Sequence, residues 1–299
     1  MDFEKIKEAG ILCKELKKKA KNIIKEGVSY LEVIEFVEKE IETKNFKPAF
    51  PTTICANNIA AHFTIYDEDL KFKKGDVIKL DFGISNDGWI VDNALTIEIS
   101  TNKSESQIKA NEKGLRKLLD FIEIDLELRE IGKFIQNYAK ERGFETIKNL
   151  SGHEIKRNNL HAGLNIPNNE NGDKRKISDN SILAIEPFFS KTTSKVISSG
   201  NSNILHLKHN KNVRDRIARE VLNYIKKEFP YLPFSKRWLL KKFDKRKINY
   251  AINLLKKEDI IYEYPILKSD DNSIITQFEE TLVFKNKKKY IITNLENGN

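Results

Sequence analysis

Residues 80–93 read LDFGISNDGWIVDN, and the apolar residues on both sides of an Asp-Gly pair predict a β-hairpin. The hairpin carries Asp81 and Asp92 at positions where a strand favours Val or Ile. A turn at residues 86–87 would make the two aspartates direct cross-strand neighbours. The more typical type I′ turn at residues 87–88 would make them diagonal neighbours. Either turn puts both on one face, whereas a three-residue loop would separate them.

Two carboxylates on one buried face repel each other, and each is costly to remove from water. A shared proton, a pairing with Arg or Lys, or a bound cation would each compensate. The hairpin contains no Arg. Lys79 lies two residues before Asp81, and hence on the same face of the strand, so an ion pair with Lys79 stays an alternative. A solvated hairpin face is a further alternative.

Three other residues favour the cation. Glu186 lies in SILAIEPFF, Glu279 lies in IITQFEETLVF and His153 lies in NLSGHEI. Each acid alone would be expected at a structural or solvated strand end. Together with the two aspartates they form an oxygen and imidazole ligand set that suits a pair of Mn, Fe, Co or Zn ions.

Other catalytic motifs are not found. HEIKR lacks the second histidine of an HExxH zinc helix, and the chain has no GxxxxGK[ST] loop, GxGxxG fingerprint or GxSxG elbow. His62 in AAHFT and His161 in LHAGL lie in short apolar or glycine-containing stretches, where a single histidine is usually a core or surface residue.

The helical periodicity predicts an internal duplication. Amphipathic patterns predict one helix pair at 3–26 and 29–44 and a second pair at 104–122 and 126–142, with matching apolar stripes 97 residues apart. The strands GDVIKLDFG and DNSILAIEPF match in the same way, and IITQFEETLVF would correspond to the strand that carries Asp92. A chain of 299 residues with this pattern is expected to form one large α/β domain with an insertion.

The charge is concentrated in one segment. Between residues 208 and 257 there are 16 Lys or Arg and 4 Asp or Glu, whereas the rest of the chain has 37 and 40. Helical patterns near 213–228, 235–243 and 246–257 predict a compact insertion over 208–266. Its charge would suit an anionic partner such as ribosomal RNA, and Lys-rich helices with solvated faces would also explain it.

The compartment is predicted from what the sequence lacks. No apolar run approaches the roughly 18 residues that cross a bilayer. The first residues alternate charged and apolar side chains, unlike a signal peptide. With two cysteines and no CxxC spacing, a soluble protein of the reducing cytoplasm is expected.

The sequence resembles the type 2 methionine aminopeptidases, in the short archaeal form without an N-terminal extension. The matching stretches follow the family's order across nearly the whole chain: FPTTICANNIAAHFT, KLDFGISNDGWIVDNALT, NLSGHEIKRNNLHAGLNIP, AIEPF, LPFSKRWL and TQFEETLVF. The resemblance implies an α/β (α+β) pita-bread fold with pseudo-twofold symmetry. Residues 1–207 plus 267–299 would form the catalytic domain, and 208–266 an inserted, basic, winged-helix-like helical subdomain.

The resemblance also implies a role for each ligand. Asp81 would chelate one divalent ion, and Asp92 and Glu279 would bridge two. His153 and Glu186 would complete the other ion. A hydroxide that bridges the metals would attack the carbonyl of an N-terminal methionine that precedes a small residue. The protein would act on nascent chains. It is expected to be a monomer.

The same resemblance implies the residues that contact the substrate. His62 and His161 would hydrogen-bond the scissile peptide and its intermediate, and Glu186 would also shuttle a proton. The methionine side chain would lie in an apolar pocket. The pocket residues would be Phe50, Pro51, Leu160, Phe188 and Tyr264.

The sequence departs from the family at Asn93, Phe189 and Glu280, where a Thr, a smaller residue and a His are usual. All five ligand positions are kept. Two rival functions use the same fold: an X-Pro-cleaving peptidase, and a non-catalytic homologue that binds ribosomal RNA. The insertion and LHAGL argue against the first, and the complete ligand set argues against the second.

Overall fold

The computed structural model describes residues 1–68 and 70–294. Over these residues the chain forms the α-helices α1 Phe3–Ile23, α2 Tyr30–Thr43, α3 Glu105–Phe121, α4 Leu128–Lys140, α5 Arg216–Glu228 and α6 Lys245–Lys257, with short 3-10 helices at Lys236–Lys241 and Ile292–Asn294. The strands are β1 Lys47–Pro48, β2 Thr53–Ala56, β3 Ile59–Ala61, β4 Val77–Asn86, β5 Trp89–Glu98, β6 Glu145–Thr146, β7 Ser151–Ile155, β8 Asn165–Pro167, β9 Ile182–Ile185, β10 Phe188–Ser190, β11 Val196–Leu207, β12 Phe234–Ser235, β13 Ile261–Ser269, β14 Ile275–Gln277, β15 Glu280–Lys285 and β16 Lys288–Ile291.

The first helix pair begins at side-chain caps. The Asp2 carboxylate accepts a hydrogen bond from the Lys5 amide, and the Ser29 hydroxyl accepts one from the Leu31 amide. The helix predicted over 3–26 ends at Ile23, because Ile24 is extended and the chain turns at Gly27, whose φ is +84°. The apolar faces of α1 to α4 pack against the sheets in one large core.

Two antiparallel ribbons give the fold its repeat. Helices α1 and α2 precede the β4–β5 hairpin in the chain, and helices α3 and α4 precede the strands β9 and β15, which pair with each other. An isolated bridge between Ala94 and Glu279 joins the two ribbons. This arrangement agrees with the predicted pseudo-twofold architecture, in which the second ribbon is split in sequence by the insertion.

Two predicted strands are interrupted where they carry an acid. The strand predicted over 179–188 forms β9 and β10, and Glu186-Pro187 separates them, since proline has no amide proton for the ladder. The strand predicted over 274–284 forms β14 and β15, separated at 278–279. Strands β9 and β15 belong to a five-stranded sheet, and β10 and β14 belong to a three-stranded sheet. Glu186 and Glu279 therefore lie where the chain passes from one sheet to the other.

The basic segment packs around its own apolar cluster, which includes Leu222, Trp238 and Leu255. Two of its predicted helices correspond to α5 and α6, and the middle one is a six-residue 3-10 helix at Lys236–Lys241. Strand β13 continues across residue 266, where the sequence predicts a domain boundary, so the proposed division crosses a continuous strand. Among the described residues, no helix is long and apolar enough to cross a membrane.

Candidate metal centre

The β4–β5 hairpin places the two aspartates on one face. Asn86 pairs with Trp89, so the turn residues are Asp87 and Gly88, and their φ values of +52° and +82° fit a type I′ turn. In this register Gly83 lies opposite Asp92, and Ala94 lies opposite Asp81. The aspartates are therefore diagonal neighbours, as the second of the two turns predicts.

His153 reaches the aspartates from the other half of the fold. It lies on β7 and pairs with Ala184 of β9, where a Cβ on the preceding Gly152 would lie 2.2 Å from the Ala184 oxygen. Only glycine permits this approach of the two strands. His153 Nε2 lies 3.6 Å from Asp92 Oδ2 and 3.9 Å from Glu186 Oε1.

The two glutamates complete the cluster. One potential ligand atom from each of Asp92, His153 and Glu279 lies within 4.8 Å of the other two. Gln277 Nε2 donates to Glu186 Oε2 at 3.2 Å and to Asp81 Oδ2 at 3.4 Å. The fold thus brings all five predicted ligands together, and it adds a buried amide that sequence reasoning did not single out, although Gln277 belongs to the TQFEETLVF stretch.

The four carboxylates interact strongly. Burial raises the pKa of Asp92 to about 7. Burial, followed by the repulsion of neighbouring acids, raises the pKa of Asp81, Glu186 and Glu279 well above their ordinary values. In the metal-free protein, ionisation of all four groups would cost much electrostatic free energy, because the charges are desolvated and repel each other. A bound cation would offset this cost.

The donor set fits a divalent cation. Asp81 Oδ1, Asp92 Oδ1 and Glu279 Oε1 are buried atoms without a hydrogen-bond partner. Buried carboxylate oxygens are normally hydrogen-bonded or bound to a metal. Carboxylate oxygens with one imidazole suit Mn, Fe, Co or Zn. These residues therefore fit the kind of metal site that the sequence predicts.

Two further histidines lie beside the cluster. The rings of His161 and His153 are 4.4 Å apart, and the His62 ring is 5.2 Å from the Tyr264 ring. His62 Nδ1 lies 3.3 Å from the Pro265 carbonyl oxygen. Burial, aided by neighbouring histidines, lowers the pKa of His62 to about 4 and that of His161 to about 3. Both imidazoles are therefore neutral near pH 7.

An open cavity contains the cluster. Its lining includes all five predicted ligands, both histidines, Phe50 and Tyr264, and it also includes Thr53, Ala61, Ile204 and Pro233. The last four were missed by sequence reasoning. Ala61 and Pro233 lie in the quoted stretches, whereas Ile204, on β11, has no local sequence signal.

Three residues predicted for the methionine pocket do not line this cavity. Pro51 is buried, Leu160 is in the main core, and Phe188 packs with Val196 and Ile275 in a separate cluster. Pro51 and Leu160 are sequence neighbours of Phe50 and His161, which do line the cavity. The direction of a single side chain depends on packing that a short motif does not specify.

All three departures have structural partners, and those of Glu280 are Lys17 and Thr293. Asn93 Nδ2 donates to the Phe82 carbonyl oxygen at 2.6 Å, which ties β5 to β4 next to Asp92. Phe189 is fully buried and stacks with Phe144 at a centroid distance of 6.5 Å. None of the three residues occupies the position of a predicted ligand.

Comparison with known proteins agrees with this site. Residues 4–215 match the model of metallopeptidase family M24. A methionine aminopeptidase of Methanocaldococcus jannaschii is 39% identical over 282 residues, which cover 94% of this chain and 95% of that protein. A methionine aminopeptidase of Pyrococcus abyssi is 36% identical over 295 residues, which cover 98% and 99%.

Solved structures share the fold. A thermophilic Arx1 superposes with a TM-score of 0.84 at 15% identity, covering 99% of this chain and 91% of that chain. A methionine aminopeptidase from Thermotoga maritima gives 0.70 at 19% identity, covering 98% and 96%. At these identities the likeness shows the fold alone, which is the predicted pita-bread architecture. On the sequence matches, the chain belongs to metallopeptidase family M24 and, within it, to the methionine aminopeptidases of the archaeal type.

Proposed function

We propose that this protein removes the N-terminal methionine from peptides and nascent proteins whose second residue is small. The observation that carries the proposal is the convergence of four carboxylates, of which those of Asp92 and Glu279 are buried, and His153 in one open cavity. The match over nearly the full length to curated methionine aminopeptidases supports the same activity. The proposal assigns a peptide substrate to the cavity and a metal-binding role to the acids.

In this proposal two divalent ions, of Co, Mn, Fe or Zn, bind the five ligands. Asp81 would hold one ion, Asp92 and Glu279 would be shared between the two, and His153 and Glu186 would complete the other. The chemistry that bound ions would supply is Lewis acidity toward the scissile carbonyl and toward water. The three unpartnered carboxylate oxygens support this assignment.

The protein's own residues would orient the peptide and move a proton. His62 and His161 are neutral near pH 7. The His62 Nδ1–H donates to the Pro265 carbonyl oxygen, so its Nε2 can accept a hydrogen bond from the scissile peptide, and the His161 ring can donate one hydrogen bond or accept one. Glu186 is largely buried and lies beside His153, where its carboxylate can take a proton and pass it to the leaving amine.

Phe50, Ile204 and Tyr264 supply apolar surface to the cavity wall, and we propose that they contact the methionine side chain. Phe50 packs close to Gly83 of β4, where a Cβ would lie 2.4 Å from the Phe50 ring. A larger residue at position 83 would displace the ring from the cavity. Glycine in LDFG is thereby linked to the shape of the proposed pocket.

A peptide panel tests the activity. Metal-free protein is reconstituted separately with Mn²⁺, Co²⁺, Fe²⁺ and Zn²⁺ and assayed on Met-Gly-x, Met-Leu-x and x-Pro peptides. We expect methionine release from Met-Gly-x, with little release from Met-Leu-x. Preferential cleavage of the x-Pro peptides would assign the rival peptidase activity, and no cleavage with any metal would favour the non-catalytic role.

We propose that residues 1–207 with 267–299 form the catalytic unit and that 208–266 form an inserted unit that docks on the ribosome. An apolar cluster separate from the main core supports an inserted unit, since all but Leu205 of its buried residues lie within 208–266. Its net positive charge supports an RNA partner. We further propose that the protein acts in the cytoplasm as a monomer, which sedimentation of the purified protein would check.

Not every basic residue of the insertion is available for docking. Arg237 is bound to Glu38, and Lys245 pairs with Asp67. Lys242, which follows the 3-10 helix, and Arg246, in the first turn of α6, are exposed and lie four residues apart in the sequence. Charge reversal at these two positions should abolish salt-sensitive cosedimentation with ribosomes. Reversal of Lys113 and Lys117 on α3, with the same spacing, is the control, and equal cosedimentation of both double variants would reject the docking proposal.

A further inference from the structure

A partly buried ion pair lies next to Glu279. Lys17 of α1 places its Nζ 2.6 Å from Glu280 Oε1, and each side chain is 18% exposed. The same Nζ lies 3.4 Å from the main-chain oxygen of Glu279. The ammonium therefore contacts both the residue after the proposed ligand and the ligand's own peptide.

A third element completes this network. The Thr293 hydroxyl donates to Glu280 Oε2, so both carboxylate oxygens of Glu280 have partners. Thr293 lies on the C-terminal 3-10 helix, which packs against α1, and a Cβ on Gly10 of α1 would lie 2.2 Å from the Ile292 side chain. Helix α1, the start of β15 and the 3-10 helix are thus fixed to one another at Glu280.

Glu279 depends on such contacts more than a residue inside a strand does. It lies between β14 and β15, where the chain changes sheets, and outside the ladders of both strands. Its amide donates to the Ala94 oxygen at 3.1 Å, and its oxygen accepts from the Ala94 amide at 3.4 Å. Lys17 Nζ contacts the same Glu279 oxygen and adds a second donor to it.

We propose that Lys17 and Glu280 are positioning residues that hold the Glu279 carboxylate in the direction needed to bridge two metal ions. The proposal rests on the proposed function, in which Glu279 is a bridging ligand. The family that the sequence resembles usually has histidine at position 280, so the Lys17–Glu280 ion pair is a departure of this chain. The charges of Lys17 and Glu280 cancel locally. Changes to residues that orient metal ligands typically weaken metal affinity by about 10- to 100-fold.

Positioning and simple electrostatics give opposite expectations for Lys17→Met. Removal of a nearby positive charge would by itself strengthen the binding of a cation. Loss of the contacts to Glu279 and Glu280 would weaken it, because the ligand's peptide keeps only its bridge to Ala94 and the Glu280 carboxylate loses its cation. We expect the second, weaker Mn²⁺ site of Lys17→Met to lose at least about tenfold in affinity.

Glu280→Asp provides a second test at constant charge. The shorter side chain cannot contact Lys17 and Thr293 together, whereas the charge near the ions is unchanged. We expect a similar loss of affinity, by about 10-fold or more, and electrostatics alone predicts none. The double variant K17M/E280H, with the residue usual in the family, should bind the second Mn²⁺ more tightly than Lys17→Met does.

The measurement is calorimetric titration of the metal-free full-length protein with Mn²⁺, together with the EPR signal of exchange-coupled Mn²⁺ pairs. Lys19→Met, which removes an exposed pair between α1 and Glu40, is the control and should bind Mn²⁺ like the wild type. If the wild type binds fewer than two Mn²⁺, the two-ion proposal itself fails. If the wild type binds two and both Lys17→Met and Glu280→Asp retain full affinity and the coupled signal, the positioning proposal is overturned.

Discussion

His153 Nε2 lies 3.6 Å from Asp92 Oδ2, although β7 and β5 belong to different sheets of the fold. The two residues come from opposite halves of the pseudo-twofold structure. The site is therefore formed only when the halves are packed together. A change at either side should affect both metal binding and the activity.

Replacement of a bridging acid should remove the activity. Asp92→Ala and Glu279→Ala each delete a proposed ligand of both ions, whose contribution as Lewis acids is worth several kcal/mol. At about 1.4 kcal/mol per tenfold in rate, release of methionine from Met-Gly-x should fall at least about 100-fold. Asp87→Ala, at the exposed turn of the same hairpin, is the control and should keep its rate. Substantial residual activity in the two site variants would contradict the two-metal mechanism.

The stability of the metal-free protein should fall as the pH rises through the acid range. Burial raises the pKa of Asp92 to about 7 from an ordinary value of 3.8, so the folded state binds the proton more tightly than the unfolded state. The resulting stabilisation is present below pH 4 and is lost as the pH approaches 7. We expect the Tm of the wild type, relative to that of Asp92→Asn, to fall over this window.

Bound metal should reverse this trend. Metal binding requires the ionised carboxylates, so the increase in Tm caused by saturating Mn²⁺ should grow between pH 5 and 8. Thermal unfolding with and without Mn²⁺ at each pH measures the difference. An increase that is the same at pH 5 and at pH 8 would speak against coupled ionisation of the acids.

Lys79 should make stability increase with pH above neutrality. The structure answers the question of its pairing: Lys79 Nζ donates to the carbonyl oxygens of Asn57 and Ile275, each at 2.9 Å, and not to Asp81. Burial lowers the pKa of Lys79 to about 7 from 10.5. The unfolded chain then binds the proton more tightly, and the free energy of unfolding should rise between pH 7 and 10.5.

The variant Lys79→Met tests this dependence. It should be less stable than the wild type at every pH, because two buried carbonyl groups lose their donor, each at a cost of about 1–3 kcal/mol. The rise in stability between pH 7 and 10 should also become smaller. Lys109→Met, at an exposed position on α3, is the control, and a variant slope equal to that of the wild type would count against the shifted pKa.

The buried pair between α2 and the insertion should contribute strongly to stability. Glu38 Oε2 accepts a hydrogen bond of 2.7 Å from Arg237 Nη2 and one of 2.8 Å from Trp238 Nε1. Glu38→Ala removes the 2.7 Å partner of a largely buried guanidinium and leaves it the longer contact with Glu35, at 3.8 Å. Breaking a buried pair in this way costs up to about 3–5 kcal/mol. Glu40→Ala, which removes the exposed pair with Lys19, should cost at most about 1 kcal/mol.

Chemical unfolding monitored by tryptophan fluorescence would measure both variants. Because Trp238 reports on the insertion directly, an early transition in Glu38→Ala would indicate that the insertion separates from α2 before the rest unfolds. Equal unfolding free energies for Glu38→Ala and Glu40→Ala would show that the pair has no special role. The result also bears on the cavity, since Pro233 lies a few residues before the pair.

Short stretches of sequence predicted much of the site. The Asp-Gly turn determined the register of β4 and β5, and hence the shared face of Asp81 and Asp92, because few residues tolerate two successive positive φ values. The glycine before His153 likewise permits a close approach of two strands, and the proline after Glu186 interrupts its strand. Both effects come from the local backbone. The family assignment followed from such local stretches, and the sequence matches confirm it.

Only the tertiary structure decided which distant side chains meet. Lys17 and Glu280 are separated by 263 residues, and nothing next to either one predicts the other as its partner. The passage of Glu186 and Glu279 between two sheets, the burial of Lys79 and the place of Ile204 in the cavity wall also depend on packing. Turn and cap preferences are set by neighbouring residues in the chain, whereas long-range contacts are set by the shapes and charges of whole elements brought together.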